Sequence, residues 1–195
     1  MSNLTSDQRQ VIFGTLLGNG FIESPEGFYL VMKSRSAEWL SSKAKVLANF
    51  EQAVWTSRGN FYWRSKADPI FEEFDNLCYD GHKKVARMEC LDMLKNVGVM
   101  TWYGDSGCLV GRDRRNASLR TQALGLSAET AARYFNEVQV PCRINQVRQR
   151  PVLAFSLKGT ERLMKIIGSV LPKNRYHLVP GYLRLDRHDF QCISE

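Results

Sequence analysis

The side chains with the most chemistry to offer in this sequence are arginines, and they are bunched. Arg112, Arg114, Arg115 and Arg120 form one group, and Arg143, Arg148 and Arg150 form another. Residues 1–98 hold 12 Lys and Arg against 12 Asp and Glu, whereas residues 99–195 hold 15 against 8, so the second half carries the whole formal charge of +7. Such clustering suits a polyanionic partner, because neutralising phosphates releases their counterions. It suits a solvated basic face equally well, and charge alone does not choose between them. Cysteine chemistry is not indicated. Cys78, Cys90, Cys108, Cys142 and Cys192 are odd in number, scattered and without a CxxC pair. That pattern argues against both a zinc site and a disulfide framework, and the thiols read as reduced, mostly small core residues. No nucleotide-binding loop, nucleophile elbow or dinucleotide fingerprint is present.

A second feature is internal repetition. Thr15-Leu-Leu-Gly-Asn-Gly20 is answered by Thr101-Trp-Tyr-Gly-Asp-Ser106, which sets Asn19 and Asp105 in matching places 86 residues apart. Each motif ends an apolar stretch of helical length, Gln8 to Leu17 and Met88 to Tyr103, and the i, i+3 spacing of Leu91, Leu94, Val97 and Met100 predicts one buried helical face. Extended stretches follow at residues 27–32 and 117–122. Serine caps at Ser36 and Ser127 then open helices over 37–50 and 128–138. Hairpins are expected over Val54 to Trp63, turning at Gly59-Asn60, and over Arg143 to Phe155, turning near Pro151. Helices over 69–77 and 160–171 close the halves. The order αββαββα therefore occurs twice, with a linker near 78–84, and predicts a pseudo-two-fold α/β (α+β) chain. Its expected units are residues 1–80 and 81–180, followed by a tail over 181–195.

A chain of 195 residues with 44% hydrophobic content can bury a sizeable core. No apolar run of 18 residues suggests a membrane span, and the polar Met1–Gln10 segment lacks a secretion-signal pattern, so an intracellular protein is expected.

At its two motifs the chain resembles the LAGLIDADG homing endonucleases, in particular the single-chain, intron-encoded type. Residues 12–20 lie over the nine-letter signature and residues 98–106 over its second copy. Phe21-Ile22, His82-Lys83-Lys84, Leu171-Pro172 and Tyr176-His177-Leu178 add further matches, so the resemblance spans about residues 5 to 180. It implies two signature helices packed at a pseudo-dyad and two saddle-shaped antiparallel sheets lying in the DNA major groove. It also implies a monomer that hydrolyses phosphodiesters in double-stranded DNA at a long pseudo-palindromic site. Divalent metal, Mg2+ or another, would be bound by the last acid of each signature. The implied metal positions are Asp105 and Asn19 with the carbonyls of Gly18 and Gly104, and the implied catalytic set is Asp105, Asn19, Lys84 and His177. Gly14, Gly18 and Gly104 would let the helix backbones approach closely.

The chain departs from that pattern where it matters most. Asn19 stands where an acid is expected, Met100 replaces the central glycine of the second copy, and Ser106 replaces its last. A neutral amide lowers metal affinity, which implies impaired cleavage or nicking. The alternative is an inactive nucleic-acid-binding protein or intron maturase, with intron RNA as a further partner. Asn19 alternatively serves only as a helix C-cap. The resemblance directs alternate strand residues at DNA: Lys33, Arg58, Arg64 and Lys66 with Thr56 in the first half, and Arg143, Asn145, Arg148 and Arg150 in the second. Arg112, Arg114, Arg115, Arg120 and Gln122 extend this set, with Gln146 and Gln149 also suited to reading bases. Trp55, Tyr62 and Trp63 are expected to serve hairpin or core packing.

Overall fold

The computed structural model describes residues 4–24, 26–121 and 128–184. The first half runs α1 (Ser6–Leu17), β1 (Phe21–Glu23), β2 (Tyr29–Ser34), α2 (Ala37–Val46), β3 (Glu51–Ser57), β4 (Asn60–Ser65) and α3 (Ile70–Cys78). A short ribbon, β5 (Tyr79–Asp80) with β6 (Lys83–Lys84), and the short helix α4 (Met88–Asp92) lead to the second half. That half repeats the order as α5 (Asn96–Ser106), β7 (Gly107–Val110), β8 (Asn116–Arg120), α6 (Ala128–Glu137), β9 (Cys142–Val147), β10 (Arg150–Phe155) and α7 (Leu157–Ile167). Both four-stranded sheets are antiparallel and share one strand order, β1-β2-β4-β3 and β7-β8-β10-β9. The doubled αββαββα pattern is thus present.

Period-two burial explains the sheets. Leu30, Met32 and Ser34 on β2, with Trp63 and Ser65 on β4, turn inward, while Tyr29, Lys33, Tyr62 and Arg64 alternate to the other face. In the second sheet Leu119, Leu153 and Phe155 are buried, and Arg120, Val152, Asn145 and Arg143 share the opposite face. Both hairpins turn on two left-handed residues, Arg58-Gly59 (φ 48° and 71°) and Arg148-Gln149 (φ 52° and 62°). That geometry matches strand twist in two-residue loops. The turns therefore come earlier than the sequence suggests. Pro151 lies within β10 because its carbonyl faces Thr121, just past the end of β8, where no N–H is required. The closing helix also starts earlier, at Leu157, because Ser156 caps it by accepting the Gly159 N–H at 3.0 Å.

The helix expected over Met88 to Tyr103 is in fact two. Gln10 of α1, buried to 4% exposure, reaches into the break at Met93–Lys95. Its amide donates to the Met93 carbonyl at 2.9 Å, and its oxygen accepts the Lys95 N–H at 2.6 Å. A side chain from 85 residues away thus caps α5. Gln10→Leu keeps the volume and strands both backbone groups, so urea unfolding should show a loss of about 1–3 kcal/mol. A loss under about 0.5 kcal/mol would mean that the break does not depend on this amide.

The two halves meet where α1 packs on α5. Both helices are buried almost all round: Gln10 to Leu17 on one, and Gly98 to Gly104 on the other. Gly14 makes the approach possible, since a Cβ there would sit 2.3 Å from the Gly98 carbonyl oxygen and 2.6 Å from Thr101 Cβ. Gly104 serves a different purpose from the one expected. The space of its missing Cβ is filled by the Trp39 ring, 2.5 Å away, so it admits α2 rather than α1.

Candidate functional site

Between the sheets, where α1 and α5 end, lies an open groove of 1880 Å3. Its lining includes Lys33, Arg35, Lys83, Lys84, Arg114, Arg120 and Arg175, with His82 and His177, against only Asp80 and Asp105 among the acids. The excess of cations over acids makes the groove positive, and low-dielectric walls concentrate its field.

Asp105 sits at the C-terminal end of α5, and its side chain is fully buried. Lys43 of α2, 2% exposed, places its ammonium 2.8 Å from each carboxylate oxygen. Trp39 Nε1 donates to Oδ1 at 2.6 Å, and the Asn19 backbone N–H approaches Oδ2 at 3.4 Å. Burial pulls the Lys43 ammonium below its ordinary pKa, against the opposing pull of Asp105. Further cations close in. The Arg175 guanidinium stacks on the Trp39 ring, 4.8 Å from its centroid, and its buried Nε has no hydrogen-bond partner among the described residues. Lys84 donates to the carbonyls of Gly18 and Gly20, and burial lowers its pKa to about 8, with the charge of Asp105 pulling the other way.

This arrangement does not fit a divalent metal. A hard cation needs several accessible oxygen ligands, and here the single carboxylate is sealed and already neutralised by an ammonium. Asn19 turns its amide N–H2 to the Asp105 carbonyl at 2.7 Å, acting as a donor across the pseudo-dyad rather than as a ligand. The Gly18 carbonyl is engaged by Lys84. Among the described residues, no three His, Cys, Asp or Glu side chains gather into a metal-binding group.

The other sequence-selected residues fall into three places. Lys33, Lys84, Arg114, Arg120 and His177 line the groove. His177 is largely exposed, and the partial desolvation of its ring and the neighbouring Arg175 lower its pKa. Arg64, Arg143, Asn145 and Arg150 lie on the groove-facing sides of their sheets, as the pairings Arg64↔Val31, Arg143↔Ala154, Asn145↔Val152 and Arg150↔Val147 show. Arg58 and Arg148 occupy the hairpin tips, Lys66 follows β4, and Arg112 and Arg115 stand on the β7–β8 loop, with Arg115 over the Tyr182 ring. Gln122 lies outside the described residues. Two expectations change side. Thr56 pairs with Phe61 and Gln146 with Pro151, which puts both on the face away from the groove. Trp63 is core, but Trp55 and Tyr62 are not: they stack on the groove face. Sequence reading missed Lys43, Trp39 and Arg175 altogether. Of these, Lys43 carried one faint signal, a lysine at an inward-facing position of an amphipathic helix.

The profile described as the LAGLIDADG DNA endonuclease family matches residues 9–163. No curated protein matches the chain in sequence. Among solved structures, the homing endonuclease I-WcaI bound to its DNA recognition sequence superposes with a TM-score of 0.82 at 14% identity, over 92% of this chain and 88% of that one. I-DmoI in complex with DNA and Mn gives 0.57 at 14% identity, over 85% and 97%. The N-terminal LAGLIDADG domain of DUF199/WhiA gives 0.56 at 10% identity, over 88% and 85%. These likenesses establish the shared fold. With the family profile covering most of the sequence and the doubled αββαββα order behind it, the chain belongs to the LAGLIDADG DNA endonuclease family.

Proposed function

We propose that this protein binds duplex DNA as a monomer in the groove between its two sheets, one half-site to each, and leaves the strands intact. The observation that carries this reading is the sealed Lys43–Asp105 pair at the pseudo-dyad. Where a nuclease of this family would gather carboxylates for metal, this chain gathers Lys43, Arg175 and Lys84 around one buried acid. Such a centre attracts a phosphate and repels a divalent cation. The substitution Asn19→Asp does not undo this, because a carboxylate there would face the Asp105 carbonyl oxygen that now accepts a hydrogen bond at 2.7 Å. The DNA-bound states of I-WcaI and I-DmoI support the choice of partner.

The test joins binding and cutting. Fluorescence anisotropy on a pool of random-sequence duplexes should show binding that weakens roughly 1000-fold from 50 to 200 mM salt, as expected if about six phosphates are neutralised. On supercoiled plasmid carrying the same random-sequence inserts with magnesium, neither this protein nor Asn19→Asp should give nicked or linear product above background. Metal-dependent product that disappears in Asp105→Asn would sink the non-cutting reading. Preference for structured RNA over duplex would redirect it to a maturase-like role.

A further inference from the structure

The two groove faces are chemically unlike. On the first sheet a cross-strand row runs Lys33–Tyr62–Trp55, set by the pairings Lys33↔Tyr62 and Trp55↔Tyr62. The Trp55 and Tyr62 rings are stacked, with centroids 5.1 Å apart and planes 7° from parallel, and the Lys33 ammonium lies 5.6 Å from the Tyr62 centroid. Trp55 remains 39% exposed. The nearest arginine on this face is already engaged: Arg64 sits 4.0 Å over the Tyr29 ring and 3.5 Å from the Glu23 carboxylate. On the second sheet the corresponding inner row is Arg120–Val152–Asn145, flanked by Arg143 and Arg150, and Arg120, Arg143 and Arg150 are all exposed. The groove lining confirms which faces these are, since it includes Lys33 and Asn60 of the first sheet and Arg120 and Cys108 of the second.

A duplex presents no free base faces, so an aromatic stack in the major groove has no base to stack on. What it meets there is the edge of each pair, and the apolar feature of those edges is the 5-methyl group of thymine. A stacked indole–phenol pair is a rigid apolar surface that loses little entropy on contact. Arginine and asparagine instead pair by two hydrogen bonds with guanine and adenine. We propose that the Trp55–Tyr62 stack reads thymine methyl groups in one half-site, whereas the second sheet reads its half-site through arginine and asparagine hydrogen bonds. This rests on the reading that the groove takes duplex DNA, and it makes recognition asymmetric despite the matching strand orders.

The experiment starts from duplexes enriched by retention on the full chain from a random-sequence library. The winning duplex is resynthesised with deoxyuridine in place of thymine, one half at a time, and affinity is measured by anisotropy. Uracil lacks only the methyl, and loss of one buried methyl should weaken binding about fourfold. The loss is expected in one half-site only, and Trp55→Ala, at an exposed position, should abolish it while keeping the salt dependence. Equal affinity for the thymine and uracil duplexes overturns the inference, as does an unchanged uracil penalty in Trp55→Ala. If no duplex is retained at all, the duplex-binding reading itself falls, and this inference with it.

Discussion

Lys43→Met is expected to lower the unfolding free energy by about 3–5 kcal/mol, because it leaves a buried carboxylate without its counter-ion. The Asp105 side chain has no solvent exposure through which to recover hydration, and its remaining donors are Trp39 Nε1 and a long contact from the Asn19 N–H. Methionine matches the length of the lysine stem, so the change removes charge and leaves packing nearly intact. The companion variant Lys43→Met/Asp105→Asn removes both charges and keeps an oxygen for Trp39. It should regain most of the loss, since a buried pair replaced as a unit costs little. Urea unfolding followed by circular dichroism distinguishes the cases. A single variant within about 1 kcal/mol of the parent would mean that water reaches Asp105 and that the pair is not sealed.

Gly14→Val should cost about 3 kcal/mol or more, at the upper end of overpacking effects, because what it strikes is mostly backbone. A Cβ at this position would lie 2.3 Å from the Gly98 carbonyl oxygen and 3.0 Å from the Trp102 nitrogen, neither of which can rotate away. Relief requires α1 and α5 to move apart, and these helices hold the two sheets in their relative places. The same variant should therefore lose duplex affinity even at temperatures where it stays folded. Gly181→Ala is the control. Among the described residues, its chain neighbours apart, no heavy atom lies within 4 Å of its Cβ position, and it should change stability by less than about 0.5 kcal/mol. If Gly14→Val behaves like the control, the helix crossing is looser than the distances indicate.

Much of this was legible before any coordinates. Hydrophobic spacing, serine caps and glycine-marked turns act over a few residues, so the αββαββα order could be read twice along the chain. The excess of arginine in the second half suited a polyanion and a solvated basic face equally, and the Asn19/Asp105 mismatch marked the pseudo-dyad as altered. Where the reading slipped, a distant residue was responsible. The expected helix over 88–103 breaks because Gln10, 85 residues away, supplies hydrogen bonds that helix propensity knows nothing of. Trp55 and Tyr62 do pack within the hairpin, as one of the two expectations had it, but on the face turned away from the core, because strand propensity does not say which face of a hairpin meets the core.

The chemistry of the centre was decided by tertiary structure. Lys43 and Asp105 are 62 residues apart, Trp39 and Asp105 are 66 apart, and nothing local to any of them announces the others. Their pairing follows from desolvation: once α2 and α5 are packed, with the Trp39 ring seated against Gly104, a carboxylate left in that place must find a cation within reach. The sequence by itself determined the repeat and the family likeness, because these depend on patterns along the chain. Whether Asp105 faces a metal or an ammonium depended on which side chains folding brings into one dry space, and that is a property of the three-dimensional structure alone.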